Sequence, residues 1–333
     1  MSQNTRTLRR LAVGFLLPAV AGLAAASAFA QETKGKKLRV AMVMPGLITD
    51  MSWNTGAYRA MKKVAEETGV EYSYQQQVAD ADVERALRDY AQKGYDLILA
   101  ESFNYGDAAL KVAKEFPNTM FATATHFKTA KNVAFYDWPA HHGGFLAGML
   151  AASMTKSDKI GFVGGYEVPD IIRIAEGYKL GAKRVDPNVQ VRVLYTGSWE
   201  DSVKGTECAK TLLDWGADVM AQGADGPGVG AMKAAAERGA WAIGYVADQN
   251  HIAPDKVLTS IVLDKETAYK TMIRDVRNGD FKGKGYLFNM LQGGVEMAPY
   301  TNVPESVIKR LRQAEKDIRA GKLEVPNIEK STR

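Results

Sequence analysis

From Leu38 onward, short apolar runs alternate with longer amphipathic segments, and the alternation is carried through twice in the same order. This constrains the chain more than any other feature, because a strand, a crossover helix and a second strand make a parallel βαβ unit. The first set predicts strands over 38–44, 71–76, 97–100, 120–124 and 133–136, with helices over 56–67, 80–92 and 105–116 between them. A helix rich in small residues follows over 145–154. The second set predicts strands over 160–163, 189–195, 219–221, 241–245 and 257–262, separated by helices over 168–186, 203–215 and 229–238. A helix over 265–278, a strand over 285–291 and a polar helix over 304–322 close the chain. The expected fold class is α/β, with two doubly wound Rossmann-like lobes, a hinge and an inter-lobe cleft. Residues 38–156 with about 264–292 are expected in the N-terminal lobe, and 157–263 with about 293–330 in the C-terminal lobe. Late elements that return to the first lobe make the connection several-stranded, which suits hinge closure on a ligand.

The start of the chain reads differently. Arg6, Arg9 and Arg10 precede an uncharged stretch from Leu11 to Ala26, and Ala28-Phe29-Ala30 supplies a small-x-small cleavage site. This predicts a signal peptide over 1–30, cleaved after Ala30, and a linker over 31–37. Gly14, Pro18 and Gly22 interrupt the apolar run, which argues against a membrane anchor. The sole cysteine is Cys208, so no lipid-anchored cysteine follows the run, and the mature product is expected free in the periplasm. One cysteine forms no internal disulfide, so stability in an oxidising compartment must come from packing. The first 30 residues carry three Arg and no acid, so their removal takes the formal net charge from +5 to +2. Basicity is then no argument for a nucleic-acid partner.

Several chemistries lack their residues. The four histidines are His126, His141, His142 and His251, without a His-Glu-x-x-His or a cysteine cluster, so no metal site is expected. His141 and His142, as sequence neighbours on a helix, are expected to point apart on a lobe surface. There is no Gly-x-Ser-x-Gly elbow and no Walker motif, and neither a cofactor nor catalysis is expected. Gly164-Gly165 lacks the third glycine of a dinucleotide fingerprint and reads as a tight strand-to-helix turn.

What the sequence does supply lies at predicted strand ends, where open α/β sheets bind ligands. After the first strand comes Asp50-Met51-Ser52-Trp53-Asn54-Thr55-Gly56. Trp53 offers a flat face to a planar heterocycle, and Asn54 offers a donor and an acceptor to its edge. The plainer alternative makes Trp53 a hydrophobic staple and Asn54 an N-cap. Glu101, Asp137-Trp138, Trp199-Glu200-Asp201, Asp225 and Asp248-Gln249-Asn250 follow other strands. Each alone is a common cap or surface acid, but five such groups at one end of the sheets point to a site. The candidate ligand-binding residues are Trp53, Asn54, Glu101, Asp137, Trp138, Trp199, Asp225 and Asp248.

The chain resembles the basic membrane protein family of periplasmic substrate-binding proteins, whose characterised members serve ABC importers and mostly bind purine nucleosides. The matching segments are Asp50-Met-Ser-Trp-Asn54, Gly144-Phe-Leu-Ala-Gly148, Lys159-Ile-Gly-Phe-Val-Gly-Gly165, Glu176-Gly-Tyr-Lys-Leu-Gly181, Gly216-Ala-Asp-Val219, Asp248-Gln249 and Val257-Leu-Thr-Ser260. They run in order through nearly the whole mature chain. The resemblance implies a type I periplasmic-binding fold with a base stacked between Trp53 and Trp199, where members usually carry Phe, and Asn54 nearby. It also implies a membrane permease as partner, no nucleic acid, and a monomer. Two departures bear on the ligand. Nucleoside-binding members have Gly-Val-Asp-Ser-Asp-Gln where this chain has Gly244-Tyr-Val-Ala-Asp248-Gln249, so the Asp that contacts ribose is Val246 here. They also carry a Lys shortly after Leu-Thr-Ser, at the position of Leu263. Sugar hydroxyls desolvated against aliphatic groups cost roughly 1–3 kcal/mol each. The expected ligand is therefore a free nucleobase, adenine first, with guanine and hypoxanthine open. A nucleoside-binding protein of the same family and a ligand-sensing receptor component are the alternatives. A nucleoside hydrolase needs a calcium-binding Asp cluster near its start, and Asp50 alone does not supply one.

Overall fold

The computed structural model describes residues 37–332. The predicted signal peptide and all but the last residue of the linker lie outside the described residues.

The chain opens with β1 (Arg39–Val43), α1 (Trp53–Thr68), β2 (Glu71–Gln75), α2 (Val83–Gln92), β3 (Leu97–Ala100), α3 (Gly106–Ala113), β4 (Met120–Ala124) and β5 (Val133–Asp137). It continues with α4 (His141–Met154), β6 (Lys159–Gly164), α5 (Pro169–Val185), β7 (Gln190–Tyr195), α6 (Ser202–Asp214), β8 (Val219–Gly223), α7 (Asp225–Glu237), β9 (Trp241–Val246) and β10 (Val257–Leu263). Helix α8 (Lys265–Asn278), β11 (Gly285–Leu287), β12 (Val295–Met297) and α9 (Glu305–Arg319) complete it.

The strands form two six-stranded sheets, ordered β11-β5-β4-β3-β1-β2 and β12-β10-β9-β8-β6-β7. Every pairing is parallel except β10 with β12. Central strands such as β3 and β8 are buried at every residue, as parallel strands covered by helices on both faces must be. Helix α1 turns Ala57, Ala60, Met61 and Val64 inward at helical spacing and ends at Gly69, whose φ of 72° is the left-handed cap a side chain disfavours. Both sheets reverse strand order beside their first strand, between β1 and β3 and between β6 and β8. Such reversals open the crevice in which a doubly wound sheet binds ligands.

Three crossings join the sheets, and they are bonded to one another. Trp138 Nε1 donates to the Asp264 carbonyl at 3.1 Å, Asp264 N to Gly294 O at 2.9 Å, and Phe288 N to Asp137 O at 2.9 Å. Helix α8 returns to the first sheet, where Lys63 meets Glu266 at 2.7 Å and Lys270 meets Glu67 at 2.5 Å across α1.

Helix α4 packs on α5 nearly backbone to backbone. A Cβ on Gly148 would lie 2.0 Å from the Tyr178 carbonyl oxygen, and one on Gly181 would lie 1.8 Å from that of Phe145. This helix therefore belongs with the second sheet, and the first crossing falls at residues 138–140, not at 156. It carries no charged residue and begins at His141, four residues before the predicted start. His141 and His142 are not on a surface: both are buried, with ring centroids 4.0 Å apart. Burial beside His142 and Arg173 lowers the His141 imidazole to about 4. The strand predicted over 285–291 stops at Leu287, because Asn289 caps a 3-10 turn over Met290–Gln292 with a reciprocal side-chain box. Strand β12, three residues long, has too short a pattern to be read from sequence.

Candidate functional site

Trp53 stands at the first turn of α1, just past the carboxyl end of β1. The preceding loop is fixed by Asp50, whose carboxylate accepts from Ser52 N (2.8 Å), Asn54 N (2.9 Å), Thr55 N (2.9 Å), Thr55 Oγ1 (2.8 Å) and Asn54 Nδ2 (2.7 Å). Asp50, not Asn54, satisfies the free N–H groups at this helix start. Trp53 donates through Nε1 to the Glu101 carbonyl at 2.9 Å, which locks the indole across the strand end.

One face of that indole is already covered. Lys265 Nζ lies 3.2 Å from the Trp53 ring centroid and 4.6 Å from that of Trp138. The same ammonium is 3.3 Å from Glu101 Oε2, with both side chains essentially inaccessible to solvent. Glu101 Oε1 also accepts from Tyr136 Oη at 2.6 Å and from Tyr269 Oη. Burial lowers the Lys265 ammonium from its ordinary value, against the opposing pull of Glu101.

From the second sheet, Trp199 lies along the turn after β6. A Cβ on Gly165 would lie 2.2 Å from Trp199 Cζ3, so the Gly164-Gly165 turn leaves the space this ring occupies. Asp225, at the start of α7, sits at φ 49°, and its Oδ1 accepts from Ser52 Oγ of the first lobe at 3.4 Å. Gln249 Nε2 donates to the Met51 carbonyl at 2.9 Å, a second bond between the lobes. Burial pushes the Asp225 carboxyl well above its usual value, with Asp50 adding to the effect and Lys265 opposing it.

These groups wall a small cavity between the carboxyl ends of the two sheets. Trp53, Glu101, Ser102 and Phe103 line it on one side, and Asp170, Trp199, Asp225 and Tyr245 on the other. Its volume is about 30 Å³. It adjoins a wider cavity of about 750 Å³ lined by Asn54, Asp50, Gln77, Trp199, Glu200 and Lys233 among others.

Of the eight residues predicted from sequence, Trp53, Glu101, Trp199 and Asp225 therefore meet at one cavity, and Asn54 lines the adjoining one. The other three stand elsewhere. Asp137 is buried in an ion pair with Arg173 of α5 at 2.5 Å, and Trp138 braces the crossings, edge-on to Trp53 at 5.8 Å. Asp248 is exposed, accepts from Asn250 N at 3.0 Å, and lies on a separate groove with Val246 and Leu263. Glu101 lines the cavity, but both of its oxygens are already engaged within the protein.

The matching family model, described as ABC transporter substrate-binding protein PnrA-like, covers residues 37–329. The chain belongs to the Bmp family. It is 35% identical over 291 residues to a purine-binding protein of Brucella abortus, covering 86% of this chain and 83% of that one. It is 30% identical over 303 residues to the ABC transporter nucleoside-binding protein BmpA of Lactococcus lactis, covering 84% and 86% respectively. Among solved structures, an ABC transporter solute-binding protein from Conexibacter woesei is similar at a TM-score of 0.71 and 25% identity, with 87% of this chain and 99% of that one covered. The two parallel-sheet lobes are those of a type I periplasmic-binding protein, and the chain is the substrate-binding protein of an ABC transporter.

Two residues of this Bmp-family site escaped the reading of the sequence. Lys265 stands two positions beyond Leu263, the position at which the family resemblance places a lysine. Asp170 follows Pro169 at the start of α5, and the strand-end logic applied to Asp225 also reaches it. Among the described residues no group of three metal-ligating side chains occurs, and no helix is long and apolar enough to cross a membrane.

Proposed function

We propose that this protein captures a purine between its lobes outside the cytoplasm, and that the ligand is a free nucleobase such as adenine. The observation that carries the reading is the cavity at the switch points of both sheets, walled by Trp53 from one lobe and Trp199 from the other. Trp53 keeps one face for a ring, because Lys265 occupies the other. Asp225 supplies polar recognition at the edge. The Brucella relative is named for purine binding and the Lactococcus relative for nucleoside binding, which supports the purine class.

Base is favoured over nucleoside by Val246, which stands where nucleoside-binding members carry the Asp that contacts ribose. Val246 is buried, and its aliphatic side chain offers no hydrogen bond to a ribose hydroxyl. Val246 holds φ at 78°, a costly conformation for a β-branched residue. The binding cycle follows from the crossings: the lobes part about the bonded hinge, a base enters, Trp53 and Trp199 close on its faces, and the closed form presents both lobes to a permease. In this cycle no residue forms or breaks a bond.

Calorimetric titration of ligand-stripped protein with adenine and adenosine side by side tests the reading. Tight adenine binding with much weaker adenosine is expected; the reverse order would return the protein to nucleosides. Stacking contributes about 1–3 kcal/mol per aromatic face. Trp53→Ala should therefore weaken binding between about fivefold and a hundredfold, and a loss under twofold would sink the stacking assignment.

A further inference from the structure

Asp170 is the second residue of α5, 8% exposed, and lines the small inter-lobe cavity beside Trp199, Asp225 and Tyr245. Its Oδ1 is buried and has no hydrogen-bond partner. The large majority of buried side-chain polar atoms in folded proteins are partnered, and an orphan costs about 1–3 kcal/mol. The cavity's first-lobe carboxylate, Glu101, is saturated by two tyrosines and a lysine, and Asp137, outside the cavity, is paired with Arg173. Asp225 has a bond from Ser52. Asp170 is thus the acid in this wall with a fully buried oxygen that no protein group partners.

Resting on the purine reading, we infer that Asp170 is a specificity-determining residue whose Oδ1 accepts an N–H of the bound base, so that the site reads a donor edge of the ring, an exocyclic amine or a ring N–H. An ionised carboxylate only accepts, so it rejects a ring that turns a carbonyl or bare ring nitrogen toward it. Discrimination of this kind is strong, because the wrong ring leaves a buried group unpaired. The position suits an anion once a donor replaces the missing solvent: Asp170 lies in the first turn of a 17-residue helix, where the helix dipole favours negative charge.

The charge state of the cavity makes the inference measurable. Burial pushes the Asp170 carboxyl up to about 7, with the Arg173 guanidinium opposing and Asp137 assisting. Tyr245 and Asp225 of the second lobe also face this group, and Glu101 and its partner Lys265 stand across the cavity in the first. Accepting an N–H selects the ionised form, so binding expels a proton from whatever fraction of Asp170 is protonated. At pH 7 that fraction is about half, and the apparent affinity falls about tenfold from pH 8 to pH 6.

The experiment is calorimetric titration of ligand-stripped protein with adenine at pH 8 and pH 6, together with a pH 7 titration in two buffers of different ionisation heat. Wild-type protein, Asp170→Asn and Asp170→Ala are compared. The inference expects the tenfold pH effect and about half a proton released by the wild type. It expects a loss of at least tenfold at pH 8 in Asp170→Ala, and a flat pH profile in Asp170→Asn. Retention of affinity within twofold in Asp170→Ala overturns it, as it would if a lone water satisfied Oδ1. A pH effect that survives in Asp170→Asn also overturns it. Even if neither variant folds, release of no proton by the wild type overturns the inference. Failure of the wild type to bind adenine or any other purine would bring down the proposed ligand class and this inference together, whereas tight binding indifferent to Asp170 would remove the inference alone.

Discussion

Replacing Lys265 by Met removes the cation paired with the buried Glu101 and keeps most of the side chain's volume. The ammonium and the carboxylate stand 3.3 Å apart with side-chain exposures of 2% and 0%. At an effective dielectric of about 20 their gross attraction is roughly 5 kcal/mol. The ammonium also lies on the Trp53 face at 3.2 Å, which adds about 2 kcal/mol when desolvated. Burying the ammonium offsets much of this, but Glu101 remains buried after the replacement, with only its two tyrosine donors to hold the charge. Breaking one side of such a pair typically costs about 3–5 kcal/mol. Urea unfolding of Lys265→Met at pH 7 should show that loss. The double variant Lys265→Met/Glu101→Gln should recover most of it, because no uncompensated charge is then left inside. A Lys265→Met variant within about 1 kcal/mol of wild type would refute the reasoning, as would a double variant no more stable than the single.

Two further outcomes follow from the same geometry. The folded Asp170 carboxyl is raised from 3.8 to about 7, so its contribution to stability is present at low pH and is lost as pH rises toward 7. Asp170→Asn should therefore stabilise the ligand-free protein at pH 8 by up to about 4 kcal/mol and not at pH 4, read by thermal unfolding across that range; equal stability at pH 8 would count against a strained, buried acid. Gly181→Ala puts a methyl group 1.8 Å from the Phe145 carbonyl oxygen, where only backbone can yield, so a loss at or above about 3 kcal/mol is expected in urea unfolding, and a cost under about 1 kcal/mol would mean that α4 and α5 slide apart freely.

The sequence by itself determined the architecture, because strand and helix periods are local and the βαβ alternation leaves few ways to join them. It also placed Trp53, Glu101, Trp199 and Asp225 at one end of the sheets, since each directly follows or starts an element whose direction the parallel pairing sets. What it did not determine was where a polar group spends its hydrogen bonds. Asp137 is drawn into a pair with Arg173 36 residues away, and Trp138 into the crossings by a carbonyl 126 residues away. Glu101 is saturated by tyrosines from β5 and α8 and by Lys265, 164 residues on. Burial of the His141-His142 pair is likewise decided by the glycine-lined contact of α4 with α5. In each case the competition is between a ligand and a distant part of the same chain, and only the folded structure brings that competitor within reach. Asp170 is the converse: a carboxyl that looks like an ordinary first-turn acid in sequence, and that the tertiary structure leaves buried with one oxygen unpaired.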